Sequence, residues 1–147
     1  MTEQTEKVAE FIELRSRADR LPRVCALTAH HHEQGQTVSI YAPHPAMAEE
    51  VDDLLWVFRQ NSFIPHVRLE KAGEPLIEPV IIFSNAPEGA DSDVLIVADA
   101  AELPAWFERF AYIYDFAPAY DEALREAARQ CYAALKAAGY RMRFARS

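Results

Sequence analysis

The sequence has few glycines, and none stands where a phosphate-binding loop would need it. Only four of the 147 residues are glycine, and the turn after the first predicted strand, Arg15–Asp19, contains none. Dinucleotide and phosphate loops require glycines because the backbone must approach the ligand closely. A GxSxG elbow, which would present a nucleophilic serine, is also missing. The common signatures of α/β nucleotide-binding proteins and hydrolases are therefore absent.

Cysteines and long apolar runs are also scarce. Cys25 and Cys131 both lie in predicted helices among apolar neighbours, which favours buried free thiols over a disulfide or a reactive nucleophile. No apolar run approaches the ~20 residues that span a bilayer. The polar N-terminus does not resemble a secretory signal. We expect a single globular domain over residues 1–147 and a cytoplasmic location.

Positive charge is the third shortage, and it is unevenly distributed. The net charge is −8, which argues against non-specific binding to a nucleic-acid backbone. Residues 1–120 carry 9 basic and 20 acidic side chains, whereas residues 121–147 carry 6 basic and 3 acidic ones. The C-terminal segment is thus the one place that should attract an acidic partner.

Strand and helix patterns alternate along the chain. Short apolar or β-rich runs predict strands, and 3.6-residue periodicity predicts helices. The predicted strands are 8–14, 37–42, 80–83, 93–97, 112–116 and a weak edge strand at 141–145; the predicted helices are 20–34, 45–58, 103–110 and 121–138. Residues 61–66 read as a linker and 84–92 as a loop. This order predicts an α/β fold: a three-layer α/β/α domain with a mostly parallel central sheet, nucleotide-binding-like but without a phosphate loop.

The last helix has the most informative pattern. Asp121 is a suitable N-cap, and Gly139 stands where a left-handed C-cap is needed. One stripe is apolar and should face the core: Leu124, Ala128, Cys131, Leu135 and Ala138. A second stripe beside it carries Arg125, Arg129, Tyr132 and Lys136. Such a stripe is either an ordinary solvated face or a site for an acidic ligand with an aromatic group, because arginine binds carboxylates through paired hydrogen bonds.

Two further features need a place in the structure. Trp56 lies off the apolar stripe of its helix, so a loop or a partner should cover it. His30, His31 and His32 are candidate metal ligands, but consecutive helical residues diverge by ~100° and no further His or Cys stands three or four residues away. We expect the solvated end of a helix there, with no metal, and we expect no cofactor and no catalytic constellation in the chain.

Several short segments together resemble the chi subunit family of bacterial DNA polymerase III, a non-catalytic component of the clamp loader. They are LLW at Leu54–Trp56, SFIPH at Ser62–His66, PVIIF at Pro79–Phe83, DVLI at Asp93–Ile96, YDFAP at Tyr114–Pro118, and the helix pattern R-x-x-x-R-x-x-Y running into AGY. Each is weak alone, but their order and spacing are specific. The resemblance covers nearly the full length and is strongest from Leu54 onward.

The resemblance implies a bridge between two protein partners in DNA replication. Chi subunits pair with the small psi subunit of the clamp loader, and the position here similar to the family's psi-contacting residue is Phe63. They also hold the acidic C-terminal tail of single-stranded-DNA-binding protein, which ends in phenylalanine. The positions that look like the tail site are Trp56, Arg125, Arg129 and Tyr132, with Lys136 extending the same stripe. We expect Trp56 to form a second wall opposite Tyr132.

Two other functions remain open at this point. A small α/β enzyme or nucleotide-binding protein with an atypical loop would have the same pattern of elements. Direct binding of single-stranded DNA by the basic C-terminal segment is the other, and the acidic remainder of the chain disfavours it.

Overall fold

Seven parallel strands form one sheet at the centre of the protein. In chain order they are β1 (Val8–Leu14), β2 (Val38–Tyr41), β3 (His66–Leu69), β4 (Val80–Phe83), β5 (Val94–Val97), β6 (Tyr112–Pro118) and β7 (Arg141–Arg146). Across the sheet they follow the order β3-β4-β2-β5-β6-β1-β7. The structure is a computed structural model that describes residues 6–58, 64–69, 79–84, 92–98, 103 and 107–146. Every pairing is parallel, which confirms the predicted fold class.

Three helices cover the two faces of this sheet: α1 (Arg20–Glu33), α2 (Pro45–Val57) and α3 (Glu122–Ala137). The buried residues of α1 and α2 belong to one core cluster, and those of α3 belong to the other. The connections from β1 to β2 and from β2 to β3 cross the sheet in one direction, whereas the connection from β6 to β7 crosses it in the other. Because such crossovers are right-handed, opposite directions put their helices on opposite faces.

The structure differs from the predicted elements in two places. Residues 66–69 form the edge strand β3, which the sequence pattern missed because its four residues mix His66 and Arg68 with apolar neighbours. In place of a helix over 103–110 the structure has a single 3-10 turn at Phe107–Arg109, and residues 104–106 lie outside the described part. Most of the predicted loop 84–92 also lies outside the described part.

The ends of α3 are formed as the sequence predicts. The Asp121 side chain accepts a hydrogen bond from the Leu124 backbone N–H at 3.0 Å. Gly139 has φ of +93°, a conformation that is strained for residues with a Cβ atom. Within the helix, Cys131 and Leu135 are buried in the core. These local signals place the second stripe of α3 on the surface.

The interior also corrects one prediction about the histidines. His30 is exposed, but His31 is buried, with Nδ1 2.7 Å from Gln36 Oε1 and Nε2 2.8 Å from the Tyr114 hydroxyl. The expected solvated helix end is therefore wrong for His31, because α1 packs this side chain over β6. Cys25 and Cys131 are buried free thiols, as predicted, and burial raises the pKa of Cys25 to about 12. No described helix has the length and apolar composition needed to cross a bilayer.

Candidate functional site

A surface groove of about 250 Å³ lies between α3 and the strands at one end of the sheet. The helix contributes its second stripe, and the strands contribute two aromatic rings. Its lining residues are Phe11, Glu13, Ala117, Ala119, Arg125, Ala128, Arg129, Tyr132 and Phe144. Small residues at 117, 119 and 128 leave the space open because they fill little of the gap between helix and sheet.

Aromatic side chains form the apolar part of the groove. Phe11 of β1 is buried, and its ring centroid lies 5.4 Å from that of Tyr132. Phe144 of β7 stands beside Phe11 in the strand register and is 57% exposed. A pair of tilted rings with a third ring exposed next to it offers a surface on which an apolar or aromatic side chain can pack.

Two arginines form the polar part. Arg129 Nη1 lies 3.1 Å from Glu126 Oε2 and 3.6 Å from Glu122 Oε1. Arg125 Nη1 lies 3.7 Å from Glu122 Oε2. All these side chains are about half exposed or more, so the ion pairs contribute little to stability and can exchange partners. An incoming carboxylate can therefore take the place of a glutamate at either guanidinium.

The structure brings together three of the five residues expected at the tail site. Arg125, Arg129 and Tyr132 all line the groove, whereas Lys136 lies one turn further along α3 and does not line it. Phe11, Glu13 and Phe144 were missed. A signal for Phe144 did exist in the sequence: it is the one aromatic side chain in a terminal strand otherwise rich in arginine.

The expectation that Trp56 forms a second wall of this site is wrong. Trp56 belongs to α2, which covers the opposite face of the sheet from α3. Its indole centroid lies 4.5 Å from the ring of His66 in β3, and β3 is four strand positions from β6. At ~4.8 Å per strand, that separation is about 19 Å across the sheet alone. Trp56 cannot share a bound side chain with Tyr132.

Trp56 instead marks a second exposed surface at the far edge of the sheet. It is 55% exposed, and its neighbour Val57 is 71% exposed. His66 supports the indole and is fixed by Asp52, whose Oδ1 lies 2.9 Å from Nε2, and by the backbone oxygen of Ile64, 2.7 Å from Nδ1. Phe63, the residue expected to contact psi, lies outside the described residues, but Ile64 immediately after it is buried beside this surface.

A buried carboxyl group lies directly behind the groove. Asp115 of β6 is 5% exposed; its Oδ1 accepts a hydrogen bond from the Phe116 N–H at 2.7 Å. Within the described part of the chain, Oδ2 has no hydrogen-bonding partner. Burial raises the pKa of Asp115 to about 7, and the Phe116 N–H, the charge of Arg20 and the Cys131 thiol oppose this increase. Carboxyl groups with such pKa values occur at functional sites, but no described residue next to Asp115 forms a reaction centre with it.

A wider crevice lies between the starts of α1 and α3, near the carboxyl ends of β1 and β6. It has a volume of about 640 Å³ and contains two arginines, Arg17 and Arg20, together with the acidic Glu50 and Asp121. Its position is where doubly wound folds bind ligands, but a glycine-free turn leads into it. Among the described residues, no group of three or more His, Cys, Asp or Glu side chains is arranged to hold a metal ion.

Known proteins resemble this chain over most of its length. The model of the family described as "DNA polymerase III chi subunit, HolC" matches residues 7–143. A protein of Pseudomonas aeruginosa named DNA polymerase III subunit chi is 31% identical over 121 residues, which is 82% of each chain. The proteins of that name from Haemophilus influenzae and Escherichia coli are 30% and 26% identical, and the matches cover 80–81% of each chain. The chain therefore belongs to the DNA polymerase III chi subunit family.

Proposed function

We propose that this protein is a non-catalytic adaptor of the DNA polymerase III holoenzyme with two protein partners. One partner is the acidic C-terminal tail of single-stranded-DNA-binding protein, and the other is the psi subunit of the clamp loader. The observation that carries the proposal is the groove of α3, where Arg125 and Arg129 stand beside the rings of Tyr132, Phe11 and Phe144. That chemistry suits a peptide that ends in an aromatic residue and a free carboxylate.

The position of charge supports an acidic peptide over nucleic acid. Outside its C-terminal segment the chain is strongly acidic, so a long polyanion would be repelled from most of the surface. A short acidic tail needs only the local basic patch. The site also contains acidic side chains: Glu13 in the groove, and Glu122 and Glu126 on α3. Their charges limit the number of negative charges that a bound peptide can bring to the site.

For psi we propose the opposite edge of the sheet, at Trp56, Val57 and Phe63. Two large exposed apolar side chains at the end of α2 form a patch of the kind found at protein interfaces. We include Phe63 because of the family resemblance and because it directly precedes the buried Ile64 in the sequence. Because the two surfaces lie at opposite ends of the sheet, both partners can bind at the same time, as a bridging role requires.

The test of the tail site is Arg129→Ala with labelled acidic peptides ending in Pro-Phe. Arg129 lies in the middle of the second stripe of α3, so its guanidinium group is best placed to bind the terminal carboxylate. Losing a hydrogen bond to a charged group costs about 1.5–3 kcal/mol, so we expect roughly 10- to 100-fold weaker binding by fluorescence anisotropy. Amidation of the peptide's C-terminus should weaken binding to the unaltered protein by a similar factor.

Arg23→Ala is the matched control, because it removes the same charge from α1 on the other face of the sheet. It should leave peptide affinity within about twofold of the original value. Equal affinities for the free and amidated peptides, or equal losses in Arg23→Ala and Arg129→Ala, would contradict a carboxylate site at α3.

A further inference from the structure

In the part of the chain that the structure describes, the last strand, β7, has no strand along its outer edge. In the order of the sheet β7 is terminal, and among the described residues β1 is the only strand beside it. An edge strand presents unpaired backbone N–H and C=O groups to its surroundings. β7 is also continuous with the groove, since Phe144 belongs to both.

The residues whose backbone groups face outward follow from the register. The Arg141 N–H donates to the Lys7 backbone oxygen at 2.8 Å, so the Arg141 backbone faces β1. Successive residues of a strand direct their N–H and C=O groups to opposite sides. The backbones of Met142, Phe144 and Arg146 therefore face outward and offer three donors and three acceptors.

The side chains of this edge have one sign of charge. Arg141, Arg143 and Arg146 are exposed, and β7 contains no acidic residue. Each of two of these arginines lies near a different glutamate: Arg141 Nη1 is 2.9 Å from Glu6 Oε1, and Arg143 Nε is 3.9 Å from Glu10 Oε1. The pair of Arg141 with Glu6 is exposed on both sides, so an acidic strand could replace it, whereas Glu10 is largely buried. Edge arginines also protect a sheet from aggregation, so charge alone does not identify an occupant.

We infer that the outer edge of β7 accepts an acidic peptide segment as an eighth, extended strand. The inference rests on the proposed function: the occupant is the stretch of the same tail that precedes the residues bound in the groove. Main-chain hydrogen bonds to Met142, Phe144 and Arg146 would hold it, and the three arginines would select acidic side chains next to them. The exposed ring of Phe144 links the two parts of the site.

Peptides of two lengths separate the two proposals. A peptide of about four residues ending in Pro-Phe reaches the groove alone, whereas one of about ten acidic residues ending the same way is long enough for the six residues of β7. We expect the long peptide to bind at least about tenfold more tightly. Two versions of the long peptide can be made, each N-methylated on one of the two sets of alternate backbone amides, and both have the same charge. Only one of them should lose the extra affinity, because only one set of amides faces β7.

Amide hydrogen exchange followed by NMR provides a second readout. The long peptide should slow exchange at Met142, Phe144 and Arg146, whereas Arg141, Arg143 and Ala145 face β1 and serve as internal controls. Equal affinities of the two methylated peptides, or unchanged exchange at the three outward amides, would overturn strand addition. The tighter binding of the long peptide would then come from its charge alone. Failure of the short peptide to bind would instead overturn the proposed tail site.

Discussion

Replacing Asp115 with Asn should stabilise the protein at alkaline pH. The carboxyl group is nearly inaccessible, and Oδ2 has no hydrogen-bonding partner among the described residues. Burial raises its pKa from 3.8 to about 7, which corresponds to a free energy on the order of 4 kcal/mol. The Phe116 N–H, Arg20 and Cys131 offset only part of this desolvation, so the charged carboxyl group is a net cost that the folded state carries at neutral and alkaline pH.

The direction of the pH dependence follows from linkage. Because the pKa is higher in the folded state than in the unfolded state, the folded form keeps a proton that the unfolded form releases between about pH 4 and pH 7. The Asp115 contribution to the free energy of unfolding therefore falls as pH rises through this window. Its full cost is present above the folded-state pKa, and it disappears below the unfolded-state pKa.

Asn has nearly the same shape but no charge to desolvate. Its oxygen can still accept the Phe116 N–H, and the small void next to Asp115 and Arg20, about 10 Å³, borders on the size of one water that could serve its amide group. We expect Asp115→Asn to raise the free energy of unfolding by a few kcal/mol at pH 8 and by progressively less as pH falls toward 4.

Urea unfolding of both proteins, followed by circular dichroism from pH 4.5 to 8, measures this difference. Asp53→Asn is the control, because it removes a carboxylate from the exposed face of α2 and should change stability by less than about 0.5 kcal/mol. A difference between Asp115→Asn and the original protein that does not vary with pH would refute the reasoning. So would a loss of stability in Asp115→Asn at pH 8, since the carboxylate would then have to be stabilised where it lies.

Three further predictions concern the partners. Glu126→Gln removes the carboxylate that lies 3.1 Å from Arg129, so affinity for the acidic peptide should rise about two- to fivefold at low salt, and an unchanged affinity would show that the glutamate does not compete. Phe63→Ala should abolish psi binding in a pull-down while thermal unfolding is unchanged, and a collapsed unfolding transition would identify Phe63 as a core residue instead. Phe144→Ala is its control, because Phe144 lies in the groove, and this variant should weaken binding of the acidic peptide but not of psi. Saturating ATP or NAD should leave the melting temperature unchanged, because the crevice at Arg17 and Arg20 has no phosphate loop, and a rise of several degrees would favour the nucleotide-binding alternative.

The sequence by itself determined most of the helices and strands and the composition of one helix face. The alternation of short apolar runs with amphipathic segments is a local pattern, and it predicted the α/β class and β1 at Val8–Leu14. The four- and three-residue spacing along α3 placed Arg125, Arg129 and Tyr132 on one edge of that helix, and the structure has all three in the groove. Such predictions succeed because the contacts they concern lie within one or two helical turns.

Only the tertiary structure decided which elements meet. Phe11 and Phe144 complete the groove because β1 pairs with β7, two segments at opposite ends of the chain. Trp56 was assigned to the wrong surface because its position depends on the strand order, which sets the direction of each crossover and hence the face on which its helix lies. Strand order is a long-range property that the periodicity of a single segment does not contain. The groove and the surface at Trp56 are therefore separate for a reason of topology, although the sequence pattern had indicated Arg125, Arg129 and Tyr132 in one and Trp56 in the other.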